Sequence, residues 1–298
     1  MYFMVKIEQK VRLQHYVPRV YLRNFSNYNG KKYYIWVFDK ETEEIFQTNI
    51  ENIAFEEEFY DTVDEEQIAE KTLCNIESRF GGAITNLINS KDLAKISSED
   101  LDSIAEFIAV QMIRTKETRI SVKQTSKQFL EKFEGHLSEK LRLEAEKSME
   151  KSSLRKGHKR MILENKEMFK RIIKEMKWIL ISNKLKTPFW SSDDPVAKHN
   201  SIDHFPYGNL GLTSTGIEVH FPLTPNLCLT ICDPILFKKE SSKKNTRDYR
   251  NIIRERDLQV RYSTRFIFSN ENKFDFAKTM LKEDPSLKDP DRKRVTIM

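Results

Sequence analysis

Glycine is scarce in this sequence, which has eight glycines in 298 residues. A loop that holds a phosphate through its backbone N–H groups usually needs several glycines, so we expect no such loop. The sequence also has no P-loop, no dinucleotide-binding glycine pattern, no Gly-x-Ser-x-Gly nucleophile turn and no His-Glu-x-x-His metal motif. If the protein binds phosphate, arginine side chains have to make the contacts.

Cysteine is also rare, with Cys74, Cys228 and Cys232 as the three in the chain. Cys228 and Cys232 are four residues apart and no second pair follows, so their spacing does not predict a zinc site. Both lie in an apolar run and are typical of buried thiols in a reducing compartment.

Long apolar runs are missing as well. None approaches the roughly 20 residues that a membrane-spanning helix needs. Residues 1–6 become charged too soon for a secretory signal peptide. We therefore predict a cytoplasmic protein without a membrane partner.

The composition is that of a folded protein, with 39% hydrophobic, 32% charged and 11% aromatic residues. The length suffices for one large domain or two small ones, and we predict a single domain over residues 1–298. The formal net charge of +6 favours an anionic partner, either nucleic acid or another anionic ligand. The oligomeric state does not follow from these properties.

Segments rich in β-branched and aromatic residues predict two groups of strands. The first group covers residues 33–39, 45–48 and 55–60, and the second covers 178–183, 188–191, 216–223, 227–232 and 265–269. A long polar loop, 197–215, lies within the second group, and such loops often border a site. We predict an α+β fold with two antiparallel β regions around a central helical layer.

Helical patterns fill most of the remaining sequence. One helix is predicted from about Asp64, with a break or kink at Gly81 and Gly82, and another after the N-cap Ser97. Residues 121–177 are highly charged and predict a projecting hairpin of two long helices joined by a basic link at 152–160. That link is either a solvated hairpin tip or a nucleic-acid contact. Residues 285–298 predict a flexible tail.

Groups that carry chemistry are densest in residues 14–25, QHYVPRVYLRNF. Pro18 disfavours helix at the residue before it, so His15 should lie on an extended or turning segment. Apolar neighbours would hold Arg19 and Arg23 on a firm backbone. His15 is either a structural histidine or a catalytic one, with the two arginines binding substrate.

Residues 15–25 resemble the opening motif of the family known as domain of unknown function 4238. Three later stretches resemble further motifs of that family: QMIRT at 111–115, WSSDDPV at 190–196 and EVHFPLTP at 218–225. Their order and spread imply that the resemblance covers nearly the whole chain. The family has no established reaction, so the resemblance supports the choice of site residues and implies no mechanism.

Gln111 and Arg114 project from or beside the buried face of the helix predicted after Ser97. A guanidinium at the edge of a core is costly unless it pairs with a carboxylate or meets an anionic ligand. Arg114 is therefore either half of a structural ion pair or, with Gln111, part of a substrate pocket that it shares with Arg19.

Two carboxylates follow the strand predicted at 188–191. Asp194 directly precedes Pro195 and is typical of an Asx-turn, so Asp193 is the better candidate for catalysis. His199 and Asn200 follow in the polar loop and are candidates for catalysis and substrate binding, respectively.

Glu218 is a further catalytic candidate. It has the same parity as His220 on its predicted strand, so the two side chains share a face, which is either solvent or pocket.

Together these residues predict an enzyme that acts on a phosphodiester, a nuclease on RNA or DNA in a defence or toxin setting. The arginines would bind the phosphate, and His15 would act as general acid or base with Asp193. In a second version Asp193, Glu218 and a histidine hold a divalent metal, although no ligand spacing specifies one. The alternatives are a non-catalytic module that binds an anionic ligand or nucleic acid, and a structural polar network.

Overall fold

The computed structural model describes residues 10–63, 65–133, 135–203 and 208–294, so the predicted helix start at Asp64 lies outside it. The strands, in chain order, are β1 (Leu13–His15), β2 (Asn27–Tyr28), β3 (Tyr33–Asp39), β4 (Ile45–Asn49), β5 (Phe55–Glu57), β6 (Lys177–Asn183), β7 (Ser191–Ser192), β8 (Ala197–Asn200), β9 (Ile217–Thr224), β10 (Leu227–Cys232), β11 (Lys243–Thr246) and β12 (Phe266–Ser269). The α-helices are α1 (Arg19–Leu22), α2 (Ile68–Ser90), α3 (Ser98–Gln111), α4 (Lys116–Lys132), α5 (Glu139–Ser148), α6 (Lys151–Glu175), α7 (Tyr249–Tyr262) and α8 (Asp275–Glu283). The predicted α+β class is confirmed.

One of the larger sheets joins the two ends of the chain. Its order is β2–β3–β12–β7, with β4 also paired to β3, and all its pairings are antiparallel. β3 has the bounds that its β-branched and aromatic residues predict. The strands predicted as one later β region are therefore divided, since β7 and β12 leave it to pair beside β3. Local sequence pattern does not report such long-range pairing.

The second larger sheet has the order β11–β6–β10–β9–β8. Its pairings are antiparallel except that β11 runs parallel to β6, which corrects the prediction of a purely antiparallel region. The reason is topological. The turn after β10 reverses the chain, and β6 already runs opposite to β10, so β11 follows the direction of β6.

Helices α2, α3 and α6 share one hydrophobic core with both larger sheets. Phe107 of α3 stacks on Phe80 of α2, with 3.6 Å between ring centroids, and lies 6.1 Å from Phe221 of β9. The Tyr21 hydroxyl lies 2.8 Å from Ser191 Oγ and donates to the Pro222 carbonyl oxygen at 2.7 Å, which ties α1 to both sheets. No helix in the described ranges has the length and apolar character needed to cross a membrane.

α2 runs without interruption through Gly81 and Gly82, so the predicted break is wrong. A Cβ atom at Gly81 would lie 3.1 Å from Val20 Cγ2. The glycine thus permits close packing of α1 on α2. Burial of Phe80 and Ile84 on the same helix offsets the roughly 1 kcal/mol that each interior glycine costs.

The predicted charged hairpin at 121–177 is built from three helices, α4, α5 and α6. α6 includes residues 152–160, so the predicted basic link is helical. Its buried His158, Ile162 and Ile173 recur on one face and pack inward, so this helix does not project. His158 Nε2 donates to the Ile113 carbonyl oxygen at 2.6 Å, and its Nδ1 accepts from Arg119 Nε at 2.9 Å.

The C-terminal segment, residues 284–294, lies against the protein, in contrast to the flexible tail predicted from residue 285. It forms a 3₁₀ turn at Pro285–Lys288 and buries Leu287. The Gln124 amide of α4 donates to the carbonyl oxygens of Asp291 and Arg292, both at 2.9 Å. These bonds anchor the segment along α4. Residues 295–298 lie outside the described ranges.

Candidate functional site

The opening motif holds the first predicted site residues. His15 ends β1, and its half-buried ring lies 5.4 Å from the ring centroid of Phe55. Burial, followed by the charges of Arg19 and Arg114, lowers the pKa of the imidazole to about 4. Its buried Nε2 has no hydrogen-bond partner among the described residues. The imidazole is therefore neutral at pH 7.

Arg19 and Arg23, the predicted substrate-binding residues of this motif, are both exposed. Arg19 begins α1, and the Arg23 guanidinium carbon lies 5.4 Å from the centre of the Tyr33 ring. An exposed cation–π contact of this kind contributes about 0.5–1 kcal/mol. Arg23 thus has a packing contact at the surface.

Arg114 and Gln111 hold the opening motif in place. Arg114 is 2% exposed, and its Nη1 donates to Glu77 Oε1 at 2.9 Å. Its Nη2 donates to the His15 carbonyl oxygen at 2.6 Å, and Gln111 Nε2 donates to the following carbonyl oxygen at 3.0 Å. These contacts match the structural alternative for Arg114. They do not place it in a pocket with the exposed Arg19.

Asp193 is buried and accepts three backbone hydrogen bonds. Its Oδ1 accepts from the Thr264 N–H at 2.8 Å, and its Oδ2 accepts from the N–H groups of Arg265 and Phe266 at 2.8 and 3.0 Å. Because three consecutive N–H groups donate to this one carboxylate, they hold the start of β12 beside β7. Its contacts are those of a structural residue.

The neighbouring Asp194 has a different environment. It is 4% exposed, and burial followed by the nearby charge of Glu117 raises its pKa well above the usual range, while Arg294 opposes the shift. These effects favour the neutral carboxylic acid.

A covered polar network lies on β8 and β9 beneath α7. Glu218 and His220 share a face, as their parity predicts, with 3.7 Å between Glu218 Oε2 and His220 Nε2. Glu218 Oε1 accepts from Arg254 Nη2 at 2.7 Å, and His220 Nδ1 lies 2.8 Å from Glu255 Oε1. His199 lies opposite Glu218 in the strand register, and burial lowers its pKa. Glu218 thus belongs to an internally paired network, and His199 lies beside it on the neighbouring strand.

Asn200 closes the polar loop that was predicted to start at residue 197. The first residues of that loop form β8 instead. Asn200 Nδ2 donates to the carbonyl oxygens of Asn209 and Thr215, both at 2.9 Å. A Cβ atom at Gly216, which has a φ of +82°, would lie 2.8 Å from Asn200 Oδ1, so the loop closes only around glycine. The contacts of Asn200 are therefore structural.

The predicted catalytic groups are not assembled into one constellation. Within the described ranges, no hydrogen bond or ion pair joins His15 to Asp193 or Glu218. No group of three or more His, Cys, Asp or Glu side chains in those ranges is arranged to hold a metal ion.

A cleft of about 730 Å³ opens elsewhere, between α4, the end of α7 and the C-terminal segment. This volume is in the range of ligand sites. Basic side chains from three separate parts of the chain line it: Lys198, Arg261, Arg292, Lys293 and Arg294. Glu117 and Asp284 are the carboxylates of its lining.

Most of these cations form no direct ion pair with the described residues. Arg261 pairs with Asp257 at 3.0 Å. Lys198, Arg292, Lys293 and Arg294 form no ion pair with any carboxylate in the described ranges. Elsewhere even half-exposed cations such as Arg254 have such partners. The cleft therefore concentrates cations that form no direct ion pair within the described ranges.

Arginines of the C-terminal segment are positioned by the last carbonyl groups of α7. Arg294 Nη1 donates to the Tyr262 carbonyl oxygen at 3.0 Å, and Arg292 Nη2 donates to that of Ser263 at 2.9 Å. The buried Lys40 also donates to the Ser263 oxygen, at 2.8 Å, and its pKa is lowered to about 6 by burial and then by Arg292. The partial negative charge of a helix C-terminus attracts these cations.

Sequence reasoning missed this cleft. Its two visible signals were the basic run at 292–294, which alone is indistinguishable from a frayed basic tail, and the polar loop predicted at 197–215, which supplies Lys198 and Leu210. The remaining wall comes from α4 and β8, far away in sequence.

Comparison with known proteins identifies the chain by family. No curated protein and no solved structure matches it. The family model described as a protein of unknown function, DUF4238, matches residues 13–273, including all four stretches of the predicted resemblance. The chain therefore belongs to the DUF4238 family.

Proposed function

We propose that this protein binds a phosphate-bearing anion in the cleft between α4, the end of α7 and the C-terminal segment. The observation that carries the proposal is the set of four cations on its lining without a described carboxylate partner, Lys198, Arg292, Lys293 and Arg294. Guanidinium and ammonium groups are the usual partners of phosphate oxygens.

A purely structural reading explains part of the cluster. Arg292 and Arg294 hold the end of α7, so their presence alone does not require a ligand. Lys198 and Lys293 make no side-chain hydrogen bond to the described protein, yet both face the same cleft. Replacement of these two lysines therefore tests ligand binding and leaves the hydrogen bonds at the end of α7 in place.

Replacement of Lys198 and Lys293 by glutamine is expected to weaken binding of a labelled oligonucleotide by about 10- to 100-fold, since each loses a charged contact. Fluorescence anisotropy at fixed salt measures the affinity. The matched control is Lys238→Gln with Lys239→Gln, two exposed lysines outside the cleft. Equal affinities of wild type and both variants would exclude the cleft as the binding site.

The second candidate function is hydrolysis of a bound phosphodiester, as by a nuclease. It is favoured by Glu117, a carboxylate that lines the cleft together with the unpaired cations. Glu117 would take a proton from the attacking water, and the cations would stabilise the charge that develops on the phosphate oxygens.

Glu117→Gln is expected to lower cleavage of labelled RNA or DNA at least 100-fold while oligonucleotide binding persists, because the amide cannot accept that proton. Incubations with Mg²⁺ and with EDTA show whether a divalent metal is required. His15→Ala provides the comparison. Cleavage lost in that variant but retained by Glu117→Gln would place the chemistry at the opening motif and contradict the role of Glu117.

A further inference from the structure

The two walls of the cleft differ in chemistry. The cationic wall comes chiefly from the C-terminal segment. The facing wall is α4, which contributes Thr118, Ser121, Val122 and Thr125. Their spacing of three to four residues places them along one helix face. The ligand therefore meets positive charge on one side and a mixture of hydroxyl and apolar groups on the other.

Exposed apolar side chains belong to this lining. Val122 is 37% exposed and Leu210 is 41% exposed, and both border the cleft. Inorganic phosphate would use the cationic wall and leave these groups in water. A ligand with an anionic edge and a flat apolar edge would cover them.

Tyr262 adds an aromatic side chain to the cleft. It ends α7, Arg294 donates to its carbonyl oxygen, and the residue is half-buried. Nucleobases stack on such rings in proteins that bind single strands.

We infer that the ligand class is single-stranded nucleic acid, with its phosphates along Arg292, Lys293 and Arg294 and its bases along α4 and Tyr262. This inference rests on the proposed anion-binding function. A duplex carries phosphates on its outside and keeps its base faces stacked inside, so it could engage the cationic wall and leave the other wall unused. A single strand exposes both its phosphates and its base faces.

Anisotropy titrations compare labelled single-stranded DNA and RNA with the same strands annealed to their complements. Single strands are expected to bind at least 10-fold more tightly than duplexes. Tyr262→Leu is expected to weaken single-strand binding by about 5- to 100-fold and to leave duplex binding unchanged, because base stacking is lost.

Val122→Glu provides a second variant that does not disturb buried packing. A carboxylate on the α4 wall is expected to weaken single-strand binding about 10-fold, whereas Leu143→Glu on the exposed face of α5 should have no effect. Equal or tighter binding of duplexes would overturn the inference while anion binding stood. Unchanged single-strand affinity in both Tyr262→Leu and Val122→Glu would also overturn the inference. Binding of neither form, with a labelled mononucleotide also left unbound, would overturn the proposed function itself.

Discussion

Replacement of Arg114 by methionine is expected to lower the free energy of unfolding by about 2–4 kcal/mol. The side chain is 2% exposed, so Met can fill much of its volume but supplies no charge or donor. Glu77 would lose its partner, and the His15 carbonyl oxygen would lose its donor. Glu77 is partly exposed, with 24% of its side chain accessible, so water compensates part of its charge, and the loss falls mainly on the carbonyl oxygen that no longer has a donor.

Urea unfolding of wild type and Arg114→Met measures this loss. Arg23→Met is the matched control, since Arg23 is exposed and its guanidinium lies over the Tyr33 ring, so its loss should cost no more than about 1 kcal/mol. Similar small losses of unfolding free energy in both variants would contradict the structural role of Arg114 and would favour a ligand-binding role instead.

Replacement of Asp193 by asparagine is expected to destabilise the protein by about 2–4 kcal/mol, although the two side chains have nearly the same shape. Asp193 accepts N–H donors on both carboxylate oxygens. The NH₂ group of Asn is itself a donor, so at least one of these backbone N–H groups would face another donor and lose its acceptor. The buried amide would then remain unsatisfied.

Thermal and urea unfolding of Asp193→Asn test this expectation, with the exposed Asp291→Asn as the control for removal of one negative charge. A fully stable Asp193→Asn protein that has lost only its activity would contradict the structural role. It would instead support the catalytic role predicted from the sequence.

Local sequence signals were sufficient for elements that depend on local structure. β3 follows from its run of β-branched and aromatic residues, and Ser97 caps α3 by accepting from the Asp100 N–H, as its position predicts. The break predicted at Gly81 was wrong because this glycine permits the close approach of Val20, a contact between segments that are distant in sequence. Tertiary contacts also explain the wrong link predicted within α6. The sequence shows only a basic stretch there, and the burial of His158 is visible only in the structure.

The candidate site depended still more on tertiary contacts. A local turn rule favoured Asp193 over Asp194 for catalysis, but the amides that satisfy Asp193 lie about 70 residues later in the chain. The cleft combines α4, Lys198, the end of α7 and residues 292–294. None of these segments carries a recognisable motif, so the spatial convergence of their charges could not be predicted from any one of them.

Anion binding in the cleft is tested most directly by the salt dependence of oligonucleotide affinity. For single strands, each phosphate contact contributes about −0.7 to the slope of log K against log salt concentration. Lys198→Gln with Lys293→Gln is therefore expected to make the slope less steep by about 1.4, while Lys238→Gln with Lys239→Gln leaves it unchanged. Identical slopes for wild type and the cleft variant would contradict the account.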